Sequence, residues 1–171
     1  MSESINKLTN LRSFQPFSEG KPGNRTFYIL AEGNEGKATI RLEKEQLVQL
    51  SLIIQELSAN DKDLSNDILE KDLKNNEKFI LDIKLIRLEV KKDPLSKLFV
   101  FDIYDSASKN TPTLQIYTSS EKIKIFASDA LKVCAAGRPL CPLCGEAINP
   151  EGHNCPRTNG HINKEDLQFE T

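Results

Sequence analysis

Lys78–Val90 read KFILDIKLIRLEV. Leu81, Ile83 and Leu85 alternate with Asp82 and Lys84, the two-residue period of a strand with one apolar face. After Leu85 the apolar set changes phase to Ile86, Leu88 and Val90. A one-residue slip carries every side chain to the opposite face, so the switch is read as a bulge or as a strand covered on both sides. Asp93 and Pro94 then close the segment.

Working outward, KLFVFDIYD (97–105) and TLQIYT (113–118) supply two further strands across a Ser, Lys, Asn and Pro-rich turn. Upstream, RSFQPF and RTFYILAEG are joined by a turn over Ser18–Asn24, and KATIRLE follows after Gly33–Gly36. Within that first turn, SEGKPGNR offers Lys21 and Arg25 as weak candidates for contacting a ligand or partner. A strand follows it, whereas a phosphate-binding loop opens a helix.

Two stretches have helical period. In Glu43–Ala59, Leu47, Leu50, Ile53, Ile54 and Leu57 form one stripe, with Gln49, Gln55 and Glu56 opposite. In the second, Thr118 is read as the N-cap and Glu121 completes a capping box, with Ile123, Phe126, Ala127, Ala130 and Val133 inward and a stop at Gly137 and Pro139. Cys134, late in this helix, reads as a buried, inert thiol.

The order is strand-strand-strand-helix, twice. It leads to an α+β expectation: one antiparallel sheet of about six strands, both helices on one face, and a small C-terminal zinc-knuckle module. In domain terms, residues 1–10 are expected to be loose, 11–137 to form the α+β body and 138–171 the zinc-binding tail. The charged stretch 60–77 is either an insertion or a short helix built on Leu64, Ile68, Leu69 and Leu73.

The tail carries the clearest chemistry. Cys141–His161, CPLCGEAINPEGHNCPRTNGH, holds three of the four cysteines and both histidines. Cys141 and Cys144, followed by Gly145, have the spacing of a knuckle in which two thiolates grip one ion. Cys155 adds a third sulfur. His153, between the bending Gly152 and the exit at Pro156, is the preferred fourth ligand, with His161 in reserve. The expected cofactor is structural Zn2+, although iron accepts the same donors. MSESINKLTN lacks the basic start and apolar run of a signal peptide, so a cytoplasmic location is expected, and a reducing compartment favours metal over a disulfide.

Composition bounds the function. Mean hydropathy is −0.44 and no stretch has the length of a membrane span. The pI near 5.8 argues against a nucleic-acid partner. Lys122, Lys124, Lys132, Arg138, Arg157 and Lys164 gather near the tail but are interleaved with Glu121, Asp129, Glu146 and Glu151. Paired carboxylates, a nucleophile with its base and a phosphate loop are not evident. The expectation is a binding or adaptor module for a protein partner. An enzyme of unknown class, using Asp102, Tyr104 or Tyr117, is the alternative, and weak nucleic-acid binding by the tail a third.

The segment AAGRPLCPLCGEAINPEGHNCPRTNG, Ala135–Gly160, resembles the C-terminal signature of an uncharacterised bacterial family, a domain of unknown function of about this length. GKPGNRTFYILAEG looks like that family's N-terminal hairpin and LEKEQLVQL like the start of its first helix. The family usually has tyrosine where His161 stands, which implies His153 as the ligand. The resemblance also implies a genomic setting beside kinase-like and phosphatase-like proteins, but no reaction.

Overall fold

The computed structural model describes residues 5–9, 11–21, 23–62, 78–108, 110–136, 141–146, 148, 152–157 and 160–162. The stretch 63–77, read above as helix or insertion, lies outside them. By contact the chain divides into two units, Met1–Glu19 with Thr26–Cys134, and Gly20–Arg25 with Ala135–Thr171.

Wholly or mostly in the first unit are β1 (Asn6–Leu8), β2 (Leu11–Lys21), β3 (Asn24–Gly33), β4 (Gly36–Leu42), α1 (Lys44–Ser58), β5 (Phe79–Lys84), β6 (Arg87–Lys92), β7 (Phe99–Tyr104), β8 (Leu114–Thr118) and α2 (Ser120–Ala135). They build two four-stranded sheets, ordered β2-β3-β4-β5 and β1-β8-β7-β6. Both sheets are mixed. β3 pairs antiparallel with β4, and β7 antiparallel with both β6 and β8. β5, however, runs parallel to β4 from Gly36↔Phe79 to Arg41↔Lys84, and β1 runs parallel to β8 from Asn6↔Leu114 to Leu8↔Ile116.

The single antiparallel sheet expected from the sequence is therefore corrected to two mixed sheets that exchange strands. The first half of the chain is β1–β4 with α1, and the second is β5–β8 with α2. The opening strand of each half completes the other half's sheet. The cause is visible at Leu85 and Ile86: the Leu85 amide donates to Arg41 O (2.8 Å) and the next amide, of Ile86, donates to Tyr104 O (3.0 Å). The phase switch in KFILDIKLIRLEV is thus a corner between sheets. Ile83 and Leu85 before it are buried, while Leu88 and Val90 after it pack against the same core.

The matching corner between β1 and β2 sits in the polar N-terminus. Leu8 and Leu11, flanking it, are 0% and 7% exposed. Thr9 donates to Glu35 Oε1 through both its amide and its hydroxyl, and the Phe79 amide donates to Glu35 O (3.2 Å), so one turn residue holds β5 and the first corner. Gly36 is required there: a Cβ would stand 2.4 Å from Phe79 O.

Both helices are amphipathic, with details the sequence did not disclose. In α1 the buried set is Leu47, Leu50, Ser51, Ile54 and Ser58. Ile53 and Leu57, expected on the inner stripe, are each 47% exposed. The two serines replace them because each hydroxyl donates to the carbonyl one turn back, Ser51 to Leu47 O (2.8 Å) and Ser58 to Ile54 O (2.6 Å), and arrives in the core already satisfied. In α2 the cap is Ser119, whose Oγ accepts from the Lys122 amide (3.3 Å), one residue later than expected. Ile123, Phe126, Ala127 and Ala130 are buried as expected. Phe126 stacks on Phe14 of β2 (4.3 Å), which meets Phe101 edge-on (5.5 Å), so the two sheets and α2 share one core. Lys124 Nζ reaches Asp61 O just beyond α1 (3.4 Å), while Cys134 near the end of α2 senses Glu45 in the first turn of α1; the helices therefore run in opposite directions.

Among the described residues, no helix is long and apolar enough to cross a membrane.

Candidate metal centre

The second unit contains the Cys141–Cys144 turn and an antiparallel ribbon, β9 (His153–Cys155) with β10 (Gly160–Ile162). In the turn, the Gly145 amide donates to Cys141 O (2.8 Å) and the Cys141 amide to Glu146 O (2.7 Å). Gly145 closes it at φ +77°, in the left-handed region where glycine is at ease. The amides of Cys144 and Leu143 point at Cys141 Sγ, and that of Glu146 at Cys144 Sγ. This is the donor pattern that supports metal-bound thiolates.

These bonds shape the titration of the sulfurs. The Cys144 amide, aided by that of Leu143, outweighs burial and draws the Cys141 pKa down to about 6. At Cys144 the Glu146 amide also lowers the pKa, but burial and the neighbouring sulfurs of Cys141 and Cys155 prevail, so the net direction is upward. One thiolate discourages a second beside it. A cation among them would remove that repulsion.

The ribbon supplies the other half. Strand alternation places His153 and Cys155 on one face and leaves Asn154 exposed. Gly152, at φ +108°, turns the chain into the strand. All four donor atoms lie within 4.8 Å of one another. Cys141 Sγ and Cys155 Sγ are 3.8 Å apart, and Cys144 Sγ and His153 Nε2 3.1 Å. Sulfurs at about 2.3 Å from a tetrahedral ion stand about 3.8 Å from each other, so the donor set fits one metal ion. The cysteines are free, and 3.8 Å is far beyond a disulfide bond.

Cys141, Cys155 and His153 are 2%, 3% and 9% exposed. Ile148, 1% exposed, packs on the sulfurs as a small lid of core. Sequence reasoning passed over Ile148, although it is the one large apolar residue between the two half-sites. His161 pairs in the ribbon with Asn154, the residue between the two ligands of β9, and its side chain lies outside the described residues.

The remaining candidates are engaged elsewhere or dispersed. Arg25 Nη1 donates to Ala136 O (2.6 Å). Lys122 Nζ donates to Leu11 O (3.0 Å), and Lys132 pairs with Asp129 (3.4 Å). Lys21 and Arg157 are exposed, while Arg138 and Lys164 lie outside the described residues. Asp102, 3% exposed, accepts from Lys91 Nζ (2.6 Å) and from Gln115 Nε2 (2.7 Å). Tyr117 donates to Gln115 Oε1 (3.4 Å), and Tyr104 lies beneath the Arg87 guanidinium (3.9 Å). These groups knit β6, β7 and β8 together. Sequence reasoning had singled out Asp102 without its partner, because Lys91 and Gln115 come from different strands.

No curated protein and no solved structure matches the chain. From just ahead of β5 to its last metal-ligand candidate, residues 74–155, the chain matches the model of a family described as protein of unknown function (DUF3090).

Proposed function

We propose that the carboxy-terminal unit is a structural zinc site held by Cys141, Cys144, His153 and Cys155, in a chain that serves as a binding or adaptor module for another protein. The observation that carries the zinc reading is the convergence of three sulfurs and one imidazole within 4.8 Å. That set meets the four-coordinate preference of zinc without leaving a position for water or substrate, which favours a structural over a catalytic ion. The unit also has a reason to need one, since among its described residues Cys141, Ile148 and Cys155 make up the small buried core.

Metal analysis of protein purified without added zinc tests this, with one zinc per chain expected. A folded, ion-free protein would sink the reading.

The adaptor reading draws support from α1, where Ile53 and Leu57, one turn apart, are each 47% exposed beside Leu52 at 52%. Proximity crosslinking in cells, comparing wild type with Ile53→Glu plus Leu57→Glu and with Cys144→Ser, is expected to recover one stoichiometric protein lost in at least one variant. The same recovery from all three would defeat the adaptor role of these surfaces.

A further inference from the structure

The four candidate ligands are unequally shielded. Cys141 and Cys155 are buried, whereas Cys144 is only partly so and follows Leu143, 44% exposed at the tip of the turn. Cys144 also lies beside another sulfur on the same tight turn, that of Cys141 three residues before it, where the Gly145–Cys141 and Cys141–Glu146 backbone bonds hold the loop closed. Cys155 sits instead on a strand whose backbone is paired to Gly160.

From this arrangement we infer that the centre is a redox-releasable clamp: hydrogen peroxide oxidises Cys144, Cys141 closes a disulfide onto it, and the ion loses two of its four donors. The inference rests on the zinc reading and concerns regulation of that same site. In the first step the Cys144 thiolate attacks the peroxide; an S–O bond forms, the O–O bond breaks, and the departing hydroxide takes a proton to become water. In the second, the Cys141 thiolate attacks the Cys144 sulfur; the S–S bond forms, the S–O bond breaks, and the second hydroxide leaves as water on taking a proton. Two thiolates, one peroxide and two protons thus become one disulfide and two waters, with the thiolate electrons reducing the peroxide. His153 and Cys155 alone are too few to retain a structural ion. Cys134 takes no part: burial first, and then Glu45, push its pKa up to about 11, so little thiolate is available there.

The test treats the full-length, metal-loaded protein with hydrogen peroxide, follows free metal with a chromogenic chelator and maps cysteines by alkylation and peptide mass spectrometry. One metal ion released per Cys141–Cys144 disulfide is expected, with Cys134 and Cys155 recovered as free thiols and metal binding restored by a dithiol reductant plus zinc. The inference is overturned by release accompanied by a Cys141–Cys155 pair or by sulfinic acids, or by retention of metal at peroxide levels that oxidise free cysteine. Metal content before treatment reads the zinc proposal separately: metal-free protein sinks that proposal, while loaded protein that resists peroxide sinks only the switch.

Discussion

Leu85 and Ile86 are consecutive in the chain, yet their amides are bonded to different sheets, Leu85 to Arg41 of β4 and Ile86 to Tyr104 of β7. The peptide between them is where the second half of the chain leaves the first half's sheet and begins its own. Because β1 makes the reciprocal crossing, neither sheet is complete without a strand from the other half.

The two corner residues differ in sensitivity. Leu85 is 7% exposed and Ile86 56%. Leu85→Ala is expected to lower unfolding stability by about 2–5 kcal/mol, and Ile86→Ala by about 0.5 kcal/mol or less. Urea unfolding checks both; equal losses would mean a strand covered on two sides rather than a corner.

Gly36 tests the parallel β4–β5 pair. A methyl group there meets the backbone of Phe79, which cannot swing aside. Gly36→Ala is expected to cost about 1–3 kcal/mol, since either the pair must part or β5 must shift. Amide exchange would show faster opening of β5 with β8 unchanged.

Substitutions near a chain end are usually harmless. Leu8, 0% exposed, is an exception because it completes the second half's sheet. Leu8→Ala is expected to cost about 2–5 kcal/mol by thermal or urea unfolding, as a central core leucine does. A change under about 0.5 kcal/mol, the range of ordinary surface positions, would refute the parallel β1–β8 pairing.

The fourth ligand is decided by metal content. His161→Ala is expected to retain the full zinc complement, because His161 pairs with Asn154 rather than with a ligand position. His153→Ala should lose most of it. The reverse result would transfer the site to His161.

Lys91 carries a pH-dependent prediction. The hydrogen bond to Asp102 outweighs burial and raises the Lys91 pKa above its ordinary 10.5. A group whose folded pKa is raised stabilises the protein fully below its unfolded pKa and loses that contribution as pH rises through the folded value. Lys91→Met leaves the Asp102 carboxylate, 5% exposed, without its ion-pair partner and is expected to cost about 1–3 kcal/mol at pH 7. That difference should narrow above pH 10.5. Lys132→Met, which breaks an exposed pair with Asp129, is expected to change stability by about 0.5 kcal/mol or less throughout.

Much of this was legible from local pattern. Two successive groups of strands each closed by a helix, the inner face of α2 and the convergence of Cys141, Cys144, His153 and Cys155 all follow from spacing and turn chemistry, because neighbouring residues decide them. Each group has four strands rather than the three expected, since β1 lies in the stretch expected to be loose and the corner at Leu85–Ile86 divides KFILDIKLIRLEV into β5 and β6. The inner face of α1 was legible only in part. Ser51 and Ser58 hide their polarity within the helix, so they could displace Ile53 and Leu57 from the core, which no hydropathy pattern reports. Ile148 could be recognised as part of the centre only once the two half-sites stood together.

By itself, the sequence determined which residues alternate, where helices begin to within a residue and which donors can share an ion, since each depends on a few residues of neighbouring backbone. Tertiary structure alone decided that β5 lies parallel to β4 and β1 parallel to β8. An apolar face states that a strand must be covered, but not which strand will lie beside it. That choice belongs to the shared core into which Leu8, Ile83 and Leu85 are buried, and it is made only when the two halves fold together.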